Sequence, residues 1–570
     1  MLTAKTNRKD AARCDRHGTT SSAPGCLAAS LFALALLAPL ATRADVTFER
    51  LQHATSEPQN WLTYSGSYAS QRHSTLREIK PSNAASLELK WVFQAQSLES
   101  FETTPLVVDG VMYLTEAPDT AVALDPATGR IFWRYQHNPA ASARPCCGRV
   151  NRGLAILGER LYMATIDAKL IALDVTTGQP VWQKSIADPA VGYAMTLAPL
   201  VVKNKVIVGV AGGEYGIRGF IAAFDVSTGD EAWRFYTIPA PGEPGSETWK
   251  EGSDWQHGGA SVWLTGSYDP ELNLTYWGIG NPGPDWNPSQ RPGDNLYSDS
   301  VVALDADSGK LRWHFQFTPN DDYDYDSVQI PVLVDLPTSS VTSGKLMLWA
   351  NRNGFFYVLD RTNGEFVRGL PFIKVNWASG LDERGRPIET PQPAGAVTFP
   401  GVQGGTNWYS PSYSPSTQLL YVSAWENYGS VFRAQGVEYA PGLQFVGGLP
   451  GSPLTGAANL PRIRGPINNW TEALGNGAVI AIDPRTGAQR WRFPTTDVST
   501  SGILTTASDV LFTASRDGYF YALDARDGKQ LWRTTLGGVG ANGPMTYAVG
   551  GAQYVAVASG NGLFVFGLRR

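Results

Sequence analysis

The sequence predicts an all-β protein that folds as an eight-bladed β-propeller. Glycine (60 residues) and proline (38 residues) are abundant, and both interrupt helices. Hydrophobic residues make up 43% of the 570 residues, which is enough to bury a core and argues against disorder. The third observation is a short motif that recurs along the chain, as expected for a repeat architecture.

Each copy of the motif contains an aspartate, a glycine four residues later and a tryptophan four residues after the glycine. We interpret the aspartate as the end of a strand, where its side chain caps the turn. Glycine supplies the positive φ of that turn, and the tryptophan packs between neighbouring sheets. Six complete copies begin at Asp125, Asp174, Asp225, Asp305, Asp483 and Asp524, and a seventh at Asp360 has Arg368 in place of the tryptophan.

A degenerate copy at residues 87–91 brings the number of repeats to eight. We expect the last blade to combine the C-terminal strands, residues 554–568, with an N-terminal strand near Trp91, because such closure removes free sheet edges. Repeated four-stranded sheets of this size are typical of propellers. The alternatives are seven blades, an open array of repeats, or two separate sandwiches.

The first 44 residues are predicted to be an export signal peptide. Five basic residues between Lys5 and Arg16 precede a 15-residue apolar run, Cys26–Leu40, and small residues follow at Thr42 and Ala44. A short membrane anchor is the alternative, although the run is short for a membrane span. Removal of residues 1–44 would leave one soluble domain, residues 45–570, in the periplasm. We expect no stable membrane insertion, and consider a homodimer.

Composition and motifs exclude several function classes. A net charge of −5 offers no basic surface for nucleic acid. Residues 278–283 match the dinucleotide fingerprint GxGxxG, but Pro282 and Pro284 prevent the helix that must follow it. The six histidines are scattered, so no zinc spacing is present. The sequence contains no CxxCH motif, so it carries no covalently attached c-type haem.

Adjacent cysteines, Cys146 and Cys147, are the first of three features that point to chemistry. In an oxidising compartment such a pair can close only a strained ring, and strain of this kind tends to persist where function uses it. Two free buried thiols are the alternative.

An acidic run and a glycine-rich loop are the other two features. If the run is extended, alternation places Asp322, Asp324 and Asp326 on one side, where converging carboxylates call for a cation. A solvated turn is the alternative. In residues 211–216 the glycines let the backbone approach a flat ligand, and Glu214 can reach a metal. An ordinary glycine-rich hairpin is the alternative here.

Together these features resemble the soluble pyrroloquinoline quinone (PQQ) alcohol dehydrogenases, the methanol and ethanol dehydrogenase family. The resemblance covers residues 50–568, nearly all of the predicted mature chain. That family folds as an eight-bladed propeller with tryptophan-docking repeats. The motifs that carry the resemblance are Glu102–Val108, Cys146–Arg152, Gly212–Gly219, Gly280–Pro282, Asp322–Asp326 and Asn351–Gly354.

The resemblance implies that PQQ lies in a central funnel, between a vicinal disulfide of Cys146 and Cys147 and the ring of Trp263. The remaining cofactor contacts then fall on Glu102, Arg152, Thr196, Gly212, Gly213, Arg352 and Asn407. The implied metal ligands are Glu214, Asn281 and Asp324. The metal is expected to polarise the C5 carbonyl of PQQ. Asp324 is the implied general base, which takes the alcohol proton while hydride passes to C5, and Arg352 hydrogen-bonds the oxygens.

Asp326 refines the expected metal. The calcium-dependent methanol enzymes have a small neutral residue at the position two after the base, whereas their lanthanide-dependent relatives have aspartate. A trivalent ion needs an additional anionic oxygen ligand, which a further carboxylate supplies. We therefore expect La³⁺ or Ce³⁺, with Ca²⁺ as the alternative, and Asp326 as a further metal ligand.

The expected reaction is the oxidation of primary alcohols to aldehydes, with electrons passed to a separate soluble cytochrome c. One rival is a non-catalytic propeller that acts as a scaffold in envelope protein assembly. Another is a quinoprotein that acts on sugars or polymeric alcohols. Residues 426–470 form a long insertion before the motif at Asp483, and we expect them to cover the funnel and select the alcohol.

Overall fold

The computed structural model describes residues 45–337, 344–393, 395–451 and 474–570. Eight antiparallel sheets of four strands each, which we number as blades 1 to 8, form the framework of this part of the chain. The predicted signal peptide, residues 1–44, and residues 452–470 of the predicted insertion lie outside the described residues. Within the described chain, no helix has the length and apolar character needed to cross a membrane.

The blades follow one another along the chain, and in blades 1 to 7 the four strands lie side by side in the order of the sequence. The strands of blades 1 to 4 are Leu106–Val108, Val111–Glu116, Thr120–Leu124 and Ile131–Gln136; Ala155–Leu157, Arg160–Ala164, Lys169–Asp174 and Pro180–Ser185; Leu200–Val202, Lys205–Gly209, Phe220–Asp225 and Glu231–Tyr236; Ser267–Asp269, Leu274–Gly278, Ser300–Asp305 and Leu311–Gln316. Those of blades 5 to 7 are Val332–Asp335, Lys345–Ala350, Phe355–Asp360 and Phe366–Pro371; Ser412–Ser414, Leu419–Tyr428, Leu474–Ile482 and Gln489–Thr495; Ile503–Thr506, Val510–Ala514, Tyr519–Asp524 and Gln530–Thr535.

Blade 8 closes the ring with strands from both parts of the chain. Its inner strands are Met545–Val549, Ala552–Ser559 and Gly562–Leu568, and its outer strand is Leu87–Gln94. Trp91 pairs with Val565 in this sheet, so the predicted closure is confirmed. Eight blades in one ring exclude the seven-bladed, open-array and two-sandwich alternatives.

A few short elements lie outside the blades. They are the α-helix Phe48–Gln52, the 3₁₀ turns Ala54–Ser56, Ala84–Ser86, Pro189–Val191, Gly213–Tyr215, Ser246–Thr248, Trp255–His257 and Pro288–Gln290, the hairpins Ala378–Leu381 with Pro387–Glu389 and Val431–Ala434 with Gly448–Gly451, and the strand His73–Ser74, which pairs with blade 7.

Trp91 and five of the six repeat tryptophans dock on the turn glycine of the next blade, whereas Trp532 packs against Phe566 in blade 8, with ring centroids 5.4 Å apart. A Cβ at Gly309 would lie 2.4 Å from the ring of Trp233, so only glycine allows this contact. The Trp233 Nε1–H donates to the carbonyl of Ala306, at 3.2 Å, and Trp91, Trp133, Trp182 and Trp491 make the equivalent bond. Where Arg368 replaces the tryptophan, the side chain of Leu370 covers Gly487 instead.

The segment of residues 59–74, before the outer strand of blade 8, crosses the centre of the ring. The Tyr68 hydroxyl donates to Val201 in blade 3, at 2.6 Å, and the amide of Tyr413 in blade 6 donates to Gln71. Arg72 is fully buried and donates to Tyr64 and to Pro544, at 3.2 and 3.1 Å. The segment therefore links the first strands of blades 3 and 6 to the residues that precede the strand Met545–Val549 of blade 8.

Candidate functional site

A cavity of about 500 Å³ lies among the loops at one end of the ring. It is lined by twelve of the residues that the sequence predicted: Glu102, Cys146, Cys147, Arg152, Thr196, Gly212, Glu214, Trp263, Asp324, Asp326, Arg352 and Asn407. Two further predicted residues lie directly behind this lining. Gly213 is buried in the turn that carries Glu214. The backbone N–H of Asn281 donates to Oδ1 of Asp326, at 3.0 Å. The structure therefore brings the whole predicted set together.

Cys146 and Cys147 form a disulfide at the mouth of the cavity, so the alternative of two free thiols is excluded. Their loop is held at its base by Asp167, which accepts hydrogen bonds from the His137 ring, at 3.0 Å, and from the amide of Ala140, at 3.2 Å. Trp263 lines the same cavity. The disulfide and the indole ring are two rigid surfaces that a flat ligand can contact.

Arg152 provides positive charge deep in the cavity. It forms an ion pair with Glu102, at 2.8 Å, and donates to the hydroxyl of Thr196, at 2.9 Å. Its guanidinium lies 5.1 Å from the ring of Trp263 and 4.7 Å from that of Trp408. Within the described chain, the buried Nε of Arg152 has no hydrogen-bond partner. An aromatic ligand with carboxylates, such as PQQ, fits this donor and these ring faces.

The opposite side of the cavity is acidic. Arg352 contacts Asp324 through Nη2, at 3.0 Å, and Asp326 through Nη1, at 2.6 Å. Burial raises the pKa of Glu214 to about 7, and the charge of Asp326 adds to the increase while Arg352 opposes it. Burial also raises the pKa of Asp324 well above its usual value.

Asp285 and Asp299 are two further buried carboxyl groups, and both interact electrostatically with Asp324 and Asp326. Oδ1 of Asp285 and both carboxylate oxygens of Asp299 have no hydrogen-bond partner among the described residues. Burial and the neighbouring carboxylates raise the pKa values of both groups. Because buried carboxylates here outnumber the guanidinium groups of Arg291 and Arg352, a bound cation would stabilise their ionised forms. Glu214, Asn281, Asp324 and Asp326 offer the hard oxygen ligands that calcium and lanthanide ions take.

The prediction that Asp322 shares one side with Asp324 and Asp326 is wrong. Asn320 and Asp324 have φ values of 51° and 60°, so the run is not an extended strand. Asp321 accepts hydrogen bonds from the amides two and four residues further on, at 3.0 and 2.7 Å, which turns the chain. Asp322 therefore lines a separate cavity of about 320 Å³, together with Glu389 and Trp377. Burial raises the pKa of Asp322 to about 6.

Residues of the predicted insertion contact the turn that carries Glu214 and the segment around Trp286. The amide of Phe445 donates to the carbonyl of Glu214, at 2.7 Å, and the amide of Trp286 donates to Val446, at 3.0 Å. The ring of Tyr439 stacks on His257, with centroids 3.5 Å apart. None of the described residues between 426 and 451 lines the cavity, and the expectation that the insertion covers the funnel stays a prediction. The part from 452 to 470 lies outside the described residues.

Several lining residues were missed by sequence reasoning. They are Leu98, Gln403, Trp408, Tyr409, Thr500, Val539, Ala541 and Asn561, together with their immediate neighbours. Trp408 directly follows Asn407, and an aromatic residue beside a predicted contact was a usable signal. Gln403 and Tyr409 come from the segment between blades 5 and 6. The remaining residues come from segments before blades 1, 7 and 8 or from blade 8 itself, and none of these segments carries a motif.

Comparison with known proteins identifies relatives that match most of the chain. A family model described as glucose/ethanol/alcohol dehydrogenase, β-propeller domain, matches residues 61–383. A second model, described as outer membrane protein assembly factor BamB, matches residues 475–567. Over 94% of its length the chain is 38% identical to quinohemoprotein alcohol dehydrogenase ADH IIB of Pseudomonas putida, of which the match covers 78%. It is 37% identical, again over 94%, to quinoprotein alcohol dehydrogenase PedH of the same species, of which the match covers 92%.

Solved structures give the same result. A quinohemoprotein alcohol dehydrogenase, ADHIIG from Pseudomonas putida HK5, superposes with a TM-score of 0.85 and 32% identity, over 92% of this chain and 82% of that one. A europium-containing methanol dehydrogenase superposes with a TM-score of 0.83 and 32% identity, over 91% of this chain and 100% of that one.

Proposed function

The chain belongs to the family of PQQ-dependent alcohol dehydrogenases, and on this basis we propose that it oxidises primary alcohols to aldehydes. The observation that carries the proposal is the meeting of Asp324 and Arg352 with the Cys146–Cys147 disulfide and Trp263 in one cavity. A scaffold protein has no need for buried carboxylates and a disulfide at the same opening.

Each residue of the site has a separate proposed role in the reaction. PQQ, when bound, supplies the two-electron acceptor of the oxidation. Asp324 accepts the hydroxyl proton of the alcohol as the carbonyl forms. Arg352 holds Asp324 in place and donates hydrogen bonds to oxygen atoms that gain negative charge. Glu102, Arg152, Thr196 and Asn407, with the backbone at Gly212 and Gly213, hold the cofactor.

We propose that the metal is a lanthanide, such as La³⁺ or Ce³⁺, held by Glu214, Asn281, Asp324 and Asp326. Three carboxylates match the charge of a trivalent ion, and a neutral residue at 326 would leave two. The resemblance between this chain and a europium-containing methanol dehydrogenase supports the proposal. Ca²⁺ is the alternative.

The proposed electron acceptor is a separate soluble cytochrome c, because the sequence has no CxxCH motif for a haem of its own. We propose that residues 1–44 direct export and that residues 45–570 act as one domain in the periplasm, where the disulfide is stable.

Reconstitution of metal-free protein with PQQ and either La³⁺ or Ca²⁺ tests the proposal. We expect dye-linked oxidation of methanol, ethanol and longer alcohols with La³⁺. Strong activity with Ca²⁺ and none with La³⁺ would contradict the lanthanide assignment. Activity on sugars or polymeric alcohols alone would favour the other quinoprotein reading, and the absence of PQQ binding would contradict the enzymatic function altogether.

A further inference from the structure

The mouth of the cavity carries two exposed aliphatic side chains. Leu98 is 96% exposed and Val539 is 37% exposed, and both line the cavity. Of the large hydrophobic side chains that are exposed in the described chain, these two alone line it. We define Leu98 and Val539 as the aliphatic lip.

Hydrogen bonds to residues 560–561 connect the two segments that carry the lip. Asn561 donates through its side chain to the carbonyl of Ser97, and its own carbonyl accepts from the amide of Ala95, at 2.8 Å. The next residue back, Gly560, donates its amide to the carbonyl of Val539, at 2.8 Å. The loops of blades 1 and 8 are thus joined through residues 560–561, and the lip is a built part of the mouth.

The interior below the lip can hold the hydroxyl end of a substrate, because the proposed proton acceptor Asp324 lies there. Asp324, Asp326 and Glu214 line it, and Glu102 lines it further along. A neutral molecule with a hydroxyl at one end can place that end at Asp324. Its other end then extends toward solvent, past the mouth.

We propose that the lip is a subsite for the alkyl tail of medium-chain primary alcohols, which sets the preference for chain length. This inference rests on the proposed alcohol oxidation. Burial of a methylene group against aliphatic side chains favours binding by about fourfold when burial is complete. The exposed lip gives part of that gain for each carbon that reaches it, so longer alcohols bind more tightly than ethanol.

The test compares 1-hexanol with ethanol in the reconstituted enzyme. The double variant Leu98→Asn, Val539→Thr keeps the approximate shape of both side chains while it makes them polar. We expect the ratio of kcat/KM for hexanol to that for ethanol to fall by about tenfold, mainly through the KM for hexanol, since two to three methylene groups lose apolar contact. Leu443→Asn is the matched control, because Leu443 is also exposed, at 61%, but does not line the cavity.

An unchanged ratio in the double variant, with ethanol still oxidised, would overturn the lip as a tail subsite and leave the alcohol dehydrogenase activity intact. An equal fall in the Leu443→Asn control would also overturn it, because the effect would then not arise at the mouth. A wild-type enzyme that oxidises neither alcohol would overturn the proposed function together with this inference.

Discussion

Arg352 and Asp324 form an ion pair inside the cavity, with Nη2 of the arginine 3.0 Å from Oδ2 of the aspartate. Burial raises the pKa of Asp324, and Arg352 opposes that increase. The pairing therefore favours the ionised form of a buried carboxylate, which is the form that can accept a proton.

Replacement of Asp324 is expected to stop turnover while the fold survives. Asp324→Ala removes the proton acceptor, and Asp324→Asn keeps its shape but lowers kcat by about 10²- to 10⁴-fold, the usual contribution of a general base. Steady-state kinetics should be combined with circular dichroism and with measurement of bound metal and PQQ. Turnover retained by a variant that still binds both groups would remove Asp324 from the mechanism.

Asp326→Ala is expected to change metal preference. Loss of one carboxylate from the proposed ligand set weakens a trivalent ion more than a divalent one, so the ratio of La³⁺-supported to Ca²⁺-supported activity should fall at least tenfold. Asp322→Ala is the matched control, because it removes a carboxylate of the same loop that faces the other cavity. The prediction fails if both variants respond alike to the two ions.

Two docking tryptophans allow a matched test of one hydrogen bond. Trp233 and Trp313 are each 8% exposed. Nε1 of Trp233 donates to Ala306, whereas Nε1 of Trp313 has no partner among the described residues. Phenylalanine at 233 should therefore cost about 1 kcal/mol more in the free energy of unfolding than phenylalanine at 313. Denaturant unfolding of the two metal-free variants measures the difference, and equal losses would show that the bond contributes nothing.

His73 predicts a pH dependence of stability. Burial, and then Arg77, lower the pKa of His73 to about 4. The unfolded chain, with a histidine pKa near 6.5, therefore binds a proton between pH 6.5 and 4 that the folded chain does not bind. This contribution to stability is present above pH 6.5 and is lost as the pH falls toward 4.

The variant His73→Gln isolates that contribution, because glutamine does not titrate. We expect the wild-type protein to lose up to about 3 kcal/mol relative to the variant between pH 7 and pH 4.5. Parallel unfolding curves at the two pH values provide the measurement. Buried carboxyl groups such as Asp322 titrate in the same range with the opposite sign, but they are common to both proteins. A constant difference between the proteins would contradict the prediction.

The repeat made the fold predictable from sequence, because an aspartate, glycine and tryptophan at fixed spacing describe a local turn and the contact it makes. Ring closure through Trp91 also followed, since an unpaired edge is unfavourable. The position of Asp322 could not be predicted, because alternation assumes an extended chain and two residues with positive φ break it. Leu98 and Val539 could not be predicted either, since segments far apart in the sequence reach the same cavity only when the ring closes.

The segment that crosses the ring also has a consequence for the order in which the protein folds. His73 contacts Thr505 across a sequence separation of 432 residues, and Arg72 contacts Pro544 across 472. Contacts of such long range form slowly, because a large loop must close before they contribute any stability. Apolar surfaces of the early blades therefore remain exposed until the last strands of the chain have folded. During this interval the partly folded chain is most prone to aggregation, and binding to a chaperone would protect it most.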